Sequence, residues 1–406
     1  MKYLIYNICN RKGRNLFFTF FSFITTYITR VSINLFFTFI TNHSYKPPII
    51  RITKNTARAM VAAVLMLAVM CALCRSDAEA QSAPAVSAKS AVVVTNGCVL
   101  YEKNPDLRLP MASTTKLMTA IIAIESCPLE EQIEIKGELC NVEGSSMYLK
   151  PGERRTVREL VTGLLLVSGN DAAQVLACHI SGDCARFAAR MNEKARELGM
   201  TNTHFTNPHG LSDSGHYSTA RDLARLMEYC MKDQTFAEID RMSSATVDGK
   251  LFVNHNRLLR SCPGCIGGKT GFTEAAGRCL VSCCERDGAR VVCVTLAAPD
   301  DWNDHAALYN WAYSYCVRRS ITDGLSFAVP VVSGERRWAY LVPEAEMTVL
   351  LQPEKEIMLT AELPWFEFAP VTAGQVDGRV TAFVDGEQIA EYYLVYSDDI
   401  AVQAPK

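Results

Sequence analysis

The chain has 406 residues, enough for two or more domains, and a formal net charge of −2 from 41 basic and 43 acidic residues. This balance excludes the strongly basic surface that nucleic-acid binding requires, so no nucleic-acid partner is expected. The charges are unevenly distributed along the chain, because no Asp or Glu precedes Asp77.

A secretory signal peptide is predicted near the N-terminus. Lys54 and Arg58 form a positively charged n-region. Residues 60–74 form an unbroken apolar run, and an A-x-A cleavage site ends at Ala80. This order is typical of a signal peptide, with a buried core helix as the alternative. Residues 1–59 are then a basic, apolar extension, which lies upstream of the true start if translation begins at the methionine that opens the apolar run.

A β-hairpin and several helices are predicted next. The hairpin turns at Asn96-Gly97, the strongest short-range hairpin signal. Apolar residues at helical spacing predict a helix that begins near Ser113, followed by helices over "TVRELVTGLLLV", "DCARFAARMNEKARELGM", "STARDLARLMEYCM" and "DHAALYNWAYSYC". Before the last of these, "RCLVSCCERDGARVVCVTLAA" predicts two strands joined at Asp287-Gly288.

From Leu325 the helical periodicity stops and short strands with turns replace it, including a hairpin at Asp385-Gly386. This change predicts a separate, small all-β domain. The chain is thus divided into an extension (1–59), a signal peptide (60–80), a linker (81–90), a domain of helices and strands (91–322) and a β domain (323–406).

Thirteen cysteines follow Ala80, so at least one cannot pair within the mature chain. Zinc binding is the functional alternative to disulfides, but no His or Cys pair at finger spacing completes a set of four ligands. We therefore expect a few disulfides, several small buried thiols and no metal.

The stretch "PMASTTKLMT" contains Ser113 and, three positions later, Lys116. Its Ser and Thr residues could simply cap an amphipathic helix, and S-x-x-K alone is common by chance. Two short motifs follow in order, however: Ser168-Gly169-Asn170 after an apolar helix, and Lys269-Thr270-Gly271 where a strand is expected. The ordered set matches the signature of serine acyl-transfer sites, whereas each motif alone fits an ordinary turn or strand entry.

The three motifs make chemical sense together. Residues three apart lie on one face of a helix, so Lys116 can stand beside Ser113. A serine hydroxyl needs a base, and lysine serves only if its pKa is lowered by desolvation or by a nearby cation such as Lys269. Backbone N–H groups at the start of the helix can stabilise an oxyanion.

The chain resembles the low-molecular-mass penicillin-binding proteins, which are serine D-alanyl-D-alanine carboxypeptidases. Beyond the three motifs, "LYEKNPDLRLPMASTTKLMTA", "GSSMYLKPGE", "MNEKARELGMTNTHFTNPHGL" and "GGKTGFTEAAGRCL" are similar to that family, and the likeness extends from about Ala91 to the C-terminus. It implies an α/β (α+β) fold: a β-lactamase/transpeptidase-like domain with an antiparallel sheet and helices, followed by a small all-β, sandwich-like domain.

The resemblance also implies residue roles. Ser113 is the acylated nucleophile, Lys116 its base, and Ser168 the third catalytic residue, which passes a proton to the leaving amine. His209 and His216 fall in matching segments, but we interpret both as structural. The implied substrate-binding residues are Asn170, Lys269, Thr270 and Gly271, and the implied oxyanion hole consists of the backbone N–H groups of Ser113 and Phe272.

The implied substrates are peptidoglycan stem peptides, with β-lactam antibiotics as covalent inhibitors and no cofactor. The predicted signal peptide places the enzyme outside the cytoplasm, secreted or at the outer face of the membrane, with membrane contact only if the leader is retained. One alternative is a β-lactamase, which needs a carboxylate that activates the deacylating water. The other is an inert wall-binding or scaffold protein, which intact Ser113 and Lys116 disfavour.

Overall fold

The structure is a computed structural model that describes the backbone of residues 2–8 and all of residues 83–404. The predicted signal peptide and most of the predicted extension lie outside the described residues. Residues 83–404 belong to one compact unit. Within the described part of the chain, no helix is both long and apolar enough to cross a lipid bilayer.

The described strands are, in chain order, β1 Lys2–Ile8, β2 Ser90–Thr95, β3 Cys98–Lys103, β4 Gln132–Glu134, β5 Arg154–Thr156, β6 Ser244–Val247, β7 Lys250–Val253, β8 Cys265–Thr273, β9 Gly277–Arg286, β10 Ala289–Leu296, β11 Val317–Ser320, β12 Phe327–Val332, β13 Trp338–Pro343, β14 Thr348–Leu351, β15 Ile357–Leu363, β16 Glu367–Phe368, β17 Val376–Val384 and β18 Glu387–Tyr396. The α-helices of the described residues are α1 Lys116–Ser126, α2 Val157–Leu166, α3 Asn170–Ser181, α4 Cys184–Glu197, α5 Ala220–Cys230, α6 Gln234–Asp240, α7 Leu258–Ser261 and α8 Asp301–Tyr315. Within residues 83–404, two 3₁₀ turns cover Ala112–Thr115 and Gly137–Leu139.

An antiparallel sheet of five strands, in the order β3-β2-β10-β9-β8, forms the centre of the first part. Its predicted hairpins are confirmed: β2 and β3 pair beside Asn96-Gly97, and β9 and β10 pair beside Asp287-Gly288. Strand β8 carries the Lys269-Thr270-Gly271 motif and lies at the edge of the sheet. In this sheet β8 pairs with β9 alone, so its other side is open to an extended ligand.

Both faces of this sheet are covered by helices. Along β2, Val92 and Val94 face a large core that includes α1, α2, α3 and α5, while Ala91 and Val93 face a second core with α8. Because successive side chains of a strand alternate between faces, a strand buried on both sides is a continuous apolar run. This explains the unbroken "AVVV" in the sequence.

The helix ends carry ordinary capping residues. Thr156 caps α2 in a reciprocal capping box with Glu159, and Thr219 caps α5 by accepting from the backbone N–H of Asp222. Gly199, just after α4, has a φ of +68°, the left-handed conformation that closes many helices.

The second part is built of strands, as predicted. A sheet in the order β1-β15-β17-β18-β13-β12-β16 includes the predicted hairpin at Asp385-Gly386 between β17 and β18. A separate pair, β11 with β14, links the two parts, because β11 precedes the predicted boundary at residues 322–323. The Gln352 side chain also donates to the Leu100 carbonyl of the first part at 2.7 Å. The domain division therefore stays a prediction.

The prediction of a few disulfides is wrong for this structure, in which all thirteen described cysteines have free thiols. The Sγ atoms of Cys262 and Cys284 are 3.8 Å apart, which is contact rather than the ~2 Å of a bond. The expected buried thiols are present. Cys279, Cys283 and Cys293 are completely buried among apolar side chains of the central sheet, where free cysteine behaves as a small hydrophobe.

Candidate active site

Ser113 lies in the 3₁₀ turn Ala112–Thr115, and α1 begins only at Lys116. The predicted helix start near Ser113 is therefore a tighter turn, and the alternative of a simple helix cap is wrong, since no side chain caps α1. The hydroxyls of Thr114 and Thr115 instead donate to carbonyls within the turn, at 2.7 and 2.8 Å. Ala112 has a φ of +48°, a strained conformation of the kind that clusters at functional sites.

The turn brings the first motif together. The Lys116 amine is 2.8 Å from Ser113 Oγ and 2.6 Å from the backbone carbonyl oxygen of His209. Lys116 is completely buried. Burial lowers its pKa well below the usual range, and the positive charge of Lys269 lowers that pKa further, against the opposing effect of Asp171. A neutral amine beside the hydroxyl is what a base for Ser113 requires.

The second motif joins two helices. After α2, Ser168 adopts a left-handed conformation with a φ of +62°, Gly169 occupies the cap position of α3, and Asn170 is the first residue of α3. Ser168 Oγ accepts a hydrogen bond from the Lys269 amine at 3.1 Å. The Asn170 amide donates to the Glu143 carbonyl, so its nitrogen already supports the neighbouring loop.

The third motif lies on the edge strand β8, which packs against the turn that holds Ser113. A Cβ atom on Gly271 would lie 3.0 Å from the backbone nitrogen of Ser113, so a side chain there would force the strand away from the nucleophile. Thr270 is half-buried, and the Phe272 side chain is 66% exposed. The close approach of Gly271 to Ser113 places the backbone of Thr270 and Phe272 near the nucleophile.

Lys269 is 1% exposed, and its amine also donates to the Thr270 carbonyl at 2.9 Å. Burial lowers its pKa to about 7, and Asp240 opposes that shift. The amine thus contacts Ser168 and the Thr270 carbonyl from a buried position behind the cavity.

The motifs line a cavity of about 750 Å³. Ser113, Ser168 and Thr270 line it, as do Arg257 and Arg260. Sequence reasoning missed these exposed arginines, which favour an anionic ligand. The remaining lining residues are Ser145, Val167, Leu251, Val253, Asn254, His255, Gly271, Phe272, Arg278, Asp301 and Trp302.

Two buried carboxylates near the motifs were also missed. Asp171, next to Asn170, accepts from the Ser146 hydroxyl at 2.6 Å and from the backbone N–H groups of Met147 and Leu149, both at 3.0 Å. It thereby fixes the loop before α2 on α3. Its position directly after the second motif is a signal that could have found it.

Asp240 ends α6 and is completely buried beside β8. Its Oδ2 accepts from the Gly268 N–H at 2.6 Å, one residue before Lys269, while its Oδ1 has no hydrogen-bond partner. Burial raises its pKa to about 7, against this hydrogen bond and the charge of Lys269. The local sequence "AEID" does not predict that Asp240 is a buried carboxylate beside Lys269, because that position depends on where α6 meets the sheet.

His209 and His216 have structural contacts, as interpreted. His216 Nε2 is 2.7 Å from the Thr115 hydroxyl, and its Nδ1 accepts from the Thr206 N–H at 3.0 Å. Burial lowers the pKa of each histidine to about 4. Both rings are therefore neutral at pH 7, where they support the turn and the loop around Lys116.

Asp240→Asn is expected to narrow the pH profile of kcat/KM and to lower its value at pH 7 by about tenfold, the equivalent of one pKa unit. Without the carboxylate, the pKa of Lys269 falls below about 7, so its charge is lost at lower pH. Loss of that charge lets the pKa of Lys116 rise, so the neutral base forms only at higher pH. The measurement is kcat/KM between pH 5 and 10.

Asp233→Asn is the matched control, because Asp233 caps the same helix, α6, by accepting from the Phe236 N–H at 2.8 Å. Asp233→Asn should lower the stability of the fold slightly and leave the pH profile of kcat/KM unchanged. An unchanged profile in Asp240→Asn would show that Asp240 does not influence the two lysines.

Comparisons with known proteins show the family to which the chain is similar. The profile of the family described as D-alanyl-D-alanine carboxypeptidase matches residues 77–300, more than half of the chain. The D-alanyl-D-alanine carboxypeptidase DacF of Bacillus subtilis is 31% identical over 353 residues, which cover 81% of this chain and 90% of that protein. DacC of Escherichia coli is 30% identical over 349 residues, covering 78% and 85% of the two chains.

A crystal structure of penicillin-binding protein 5 from Haemophilus influenzae has the same fold, with a TM-score of 0.64 and 28% identity over 79% of this chain and 99% of that one. The described fold is therefore that of a penicillin-binding protein: an antiparallel sheet with helices, followed by an all-β region. The chain belongs to the D-alanyl-D-alanine carboxypeptidase family.

Proposed function

We propose that this chain is a serine D-Ala-D-Ala carboxypeptidase that removes the terminal D-alanine from peptidoglycan stem peptides through an acyl-enzyme on Ser113, and that penicillin acylates the same serine. The single observation that carries the proposal is the completely buried Lys116 amine 2.8 Å from Ser113 Oγ, at a cavity of about 750 Å³. Nucleophile, base and cavity are thus assembled from one turn and its surroundings.

In the acylation step, neutral Lys116 takes the proton of the Ser113 hydroxyl as Oγ attacks the carbonyl carbon of the penultimate D-alanine. The resulting oxyanion accepts hydrogen bonds from the backbone N–H groups of Ser113 and Phe272, a role supported by the close approach of β8 to the turn. When the C–N bond breaks, the proton held by Lys116 reaches the leaving amine through Ser168. Water then attacks the ester, and its proton returns to the Ser113 oxygen.

Substrate recognition relies on the open edge of β8 and on positive charge. The peptide lies along β8 as an added strand, held by backbone hydrogen bonds. The Thr270 hydroxyl donates a hydrogen bond to the terminal carboxylate. The positive charge of buried Lys269 attracts the same carboxylate without direct contact. Arg257 and Arg260, which line the same cavity, strengthen the attraction for that carboxylate. Asn170 holds the loop that borders the substrate amide.

The proposed setting is outside the cytoplasm, secreted or at the outer face of the membrane, with membrane contact only through a retained leader. The support is the predicted signal peptide together with relatives named as D-alanyl-D-alanine carboxypeptidases. We also propose that residues 91–322 form the penicillin-binding catalytic part and residues 323–406 the accessory β part. All three motifs lie within the first of these.

One experiment distinguishes peptide hydrolysis from lactam hydrolysis. It measures D-alanine release and penicillin ring opening with the same enzyme preparation. With a peptide that ends in D-Ala-D-Ala, we expect continuous release of free D-alanine over many turnovers. With penicillin, we expect one equivalent of covalent adduct and then very slow release, because the opened ring stays attached and blocks the approach of water. D-alanine and ring opening are measured in parallel.

The outcome that contradicts the proposal is rapid, catalytic ring opening without D-alanine release, which would indicate a β-lactamase. Absence of both products and of the adduct would indicate a binding protein without activity. Lys269→Ala tests the contribution of that charge to the peptide reaction. It should weaken the peptide reaction mainly through loss of a charge-assisted interaction worth about 1.5–3 kcal/mol.

A further inference from the structure

Three side chains of metal-binding type converge at a place remote from the cleft. Cys127 directly follows the last residue of α1, Glu131 lies four residues further on, and His179 belongs to the last turn of α3. The Sγ atom, a carboxylate oxygen and a ring nitrogen of these residues all lie within 4.8 Å of one another. We propose that Cys127, Glu131 and His179 form a zinc-binding site, with a water molecule as the fourth ligand.

The ligand set suits zinc in chemistry and in charge. Zinc binds thiolate, imidazole and carboxylate at about 2.0–2.3 Å in tetrahedral sites, which puts neighbouring ligand atoms roughly 3.3–3.7 Å apart. The His179 Nε2 and Glu131 Oε1 atoms are 3.0 Å apart, so they need to separate by only a few tenths of an ångström. One thiolate and one carboxylate balance the 2+ charge. A thiol and an imidazole disfavour calcium and magnesium, which take oxygen ligands.

The backbone holds the ligands in place without the metal. The Cys127 N–H donates to the Ala123 carbonyl at 3.2 Å, which ties the ligand to the end of α1. The Glu131 N–H closes a turn onto the Pro128 carbonyl at 3.0 Å, and the Glu131 carbonyl accepts from the Val157 N–H at 3.1 Å. Glu131 is thus fixed on both sides.

The side chains are also accessible to a metal ion. The side chain of His179 is 30% exposed and that of Glu131 37% exposed, while Cys127 is half-buried. Solvent therefore reaches the cluster and can supply the fourth ligand. Arg190, which donates to the Ser126 hydroxyl at 2.7 Å, is a neighbouring cation that moderates the affinity for zinc.

The location suggests a structural role. Helix α1 begins with Lys116 and α3 with Asn170, so both helices start at motif residues, and the two helices pack against each other. The cluster joins their opposite ends, roughly 14–17 Å from the motif residues, because Cys127 lies 11 residues after Lys116 and His179 nine residues after Asn170 at about 1.5 Å per residue. A metal at this point would hold together the two helices that carry Lys116 and Asn170 without touching the substrate.

Cobalt is the probe, because Co²⁺ bound by a thiolate in a tetrahedral site gives a charge-transfer band in the near ultraviolet and strong visible bands. The purified chain is reduced, freed of metal with a chelator and titrated with Co²⁺, then with Zn²⁺. We expect one equivalent of Co²⁺ with these bands and their loss when Zn²⁺ displaces it. Native mass spectrometry should show one zinc per chain.

Cys127→Ser and His179→Ala should each weaken metal binding at least tenfold, in the range found when a metal-site partner is removed. Matched controls are Cys140→Ser, a half-buried thiol elsewhere on the chain, and His204→Ala, an exposed histidine; both should bind as the parent does. Circular dichroism of the metal-free variants verifies folding. The proposal is overturned if the parent binds no Co²⁺ or Zn²⁺ at micromolar concentration, or if either ligand variant keeps the parent spectrum and affinity.

Discussion

Ser113→Ala is expected to abolish covalent labelling by penicillin and to lower D-alanine release by roughly 10⁶-fold, the scale of losing a serine nucleophile. The fold should survive, because the 3₁₀ turn is held by the hydroxyls of Thr114 and Thr115 and not by Ser113. In the variant, Lys116 keeps its hydrogen bond to the His209 carbonyl. Intact mass spectrometry with and without penicillin reports acylation directly.

Ser145→Ala is the matched control, since Ser145 lines the same cavity. It should acquire the mass of one penicillin molecule at a rate close to that of the parent. If Ser113→Ala still gains that mass, another serine is the nucleophile. Circular dichroism distinguishes loss of the nucleophile from loss of the fold.

Local patterns predicted much of this molecule. The turns at Asn96-Gly97, Asp287-Gly288 and Asp385-Gly386 were found from two residues each, because only a few residue types tolerate the left-handed conformations of tight hairpins. The three motifs were likewise recognised by order and spacing. Their assembly at one cavity agrees with the sequence prediction.

What the sequence did not predict depends on contacts between distant segments. Asp240 faces β8 only because α6 ends there, and Lys269 meets Ser168 only because β8 lies beside the segment that joins α2 to α3. The 3₁₀ turn before Lys116 also has no signal of its own in "ASTT", since 3₁₀ and α turns accept the same residues. The roles of these groups therefore had to be inferred from their surroundings.

Replacing Lys116 tests the base directly. Lys116→Ala should slow acylation by roughly 10²–10⁴-fold, the usual contribution of a positioned base. Lys116→Arg should be no faster, because a guanidinium stays protonated at any accessible pH. The loss in Lys116→Ala should not come from unfolding, since burying an amine is costly and its removal relieves that cost. Lys136→Ala, at an exposed lysine, is the matched control and should acylate normally.

The pH dependence of acylation identifies the group that titrates. Burial and Lys269 lower the pKa of Lys116, so the neutral base is present at lower pH than for an ordinary lysine and is lost as the pH falls through that pKa. The charge of Lys269 is lost as the pH rises past about 7, which limits the reaction on the alkaline side. In Lys116→Ala the acid limb should disappear while the alkaline limb remains. A fully active arginine variant, or an acid limb that persists in the alanine variant, would assign the proton transfer to another group. The measurement is the rate of penicillin adduct formation between pH 4 and 10, read by mass spectrometry.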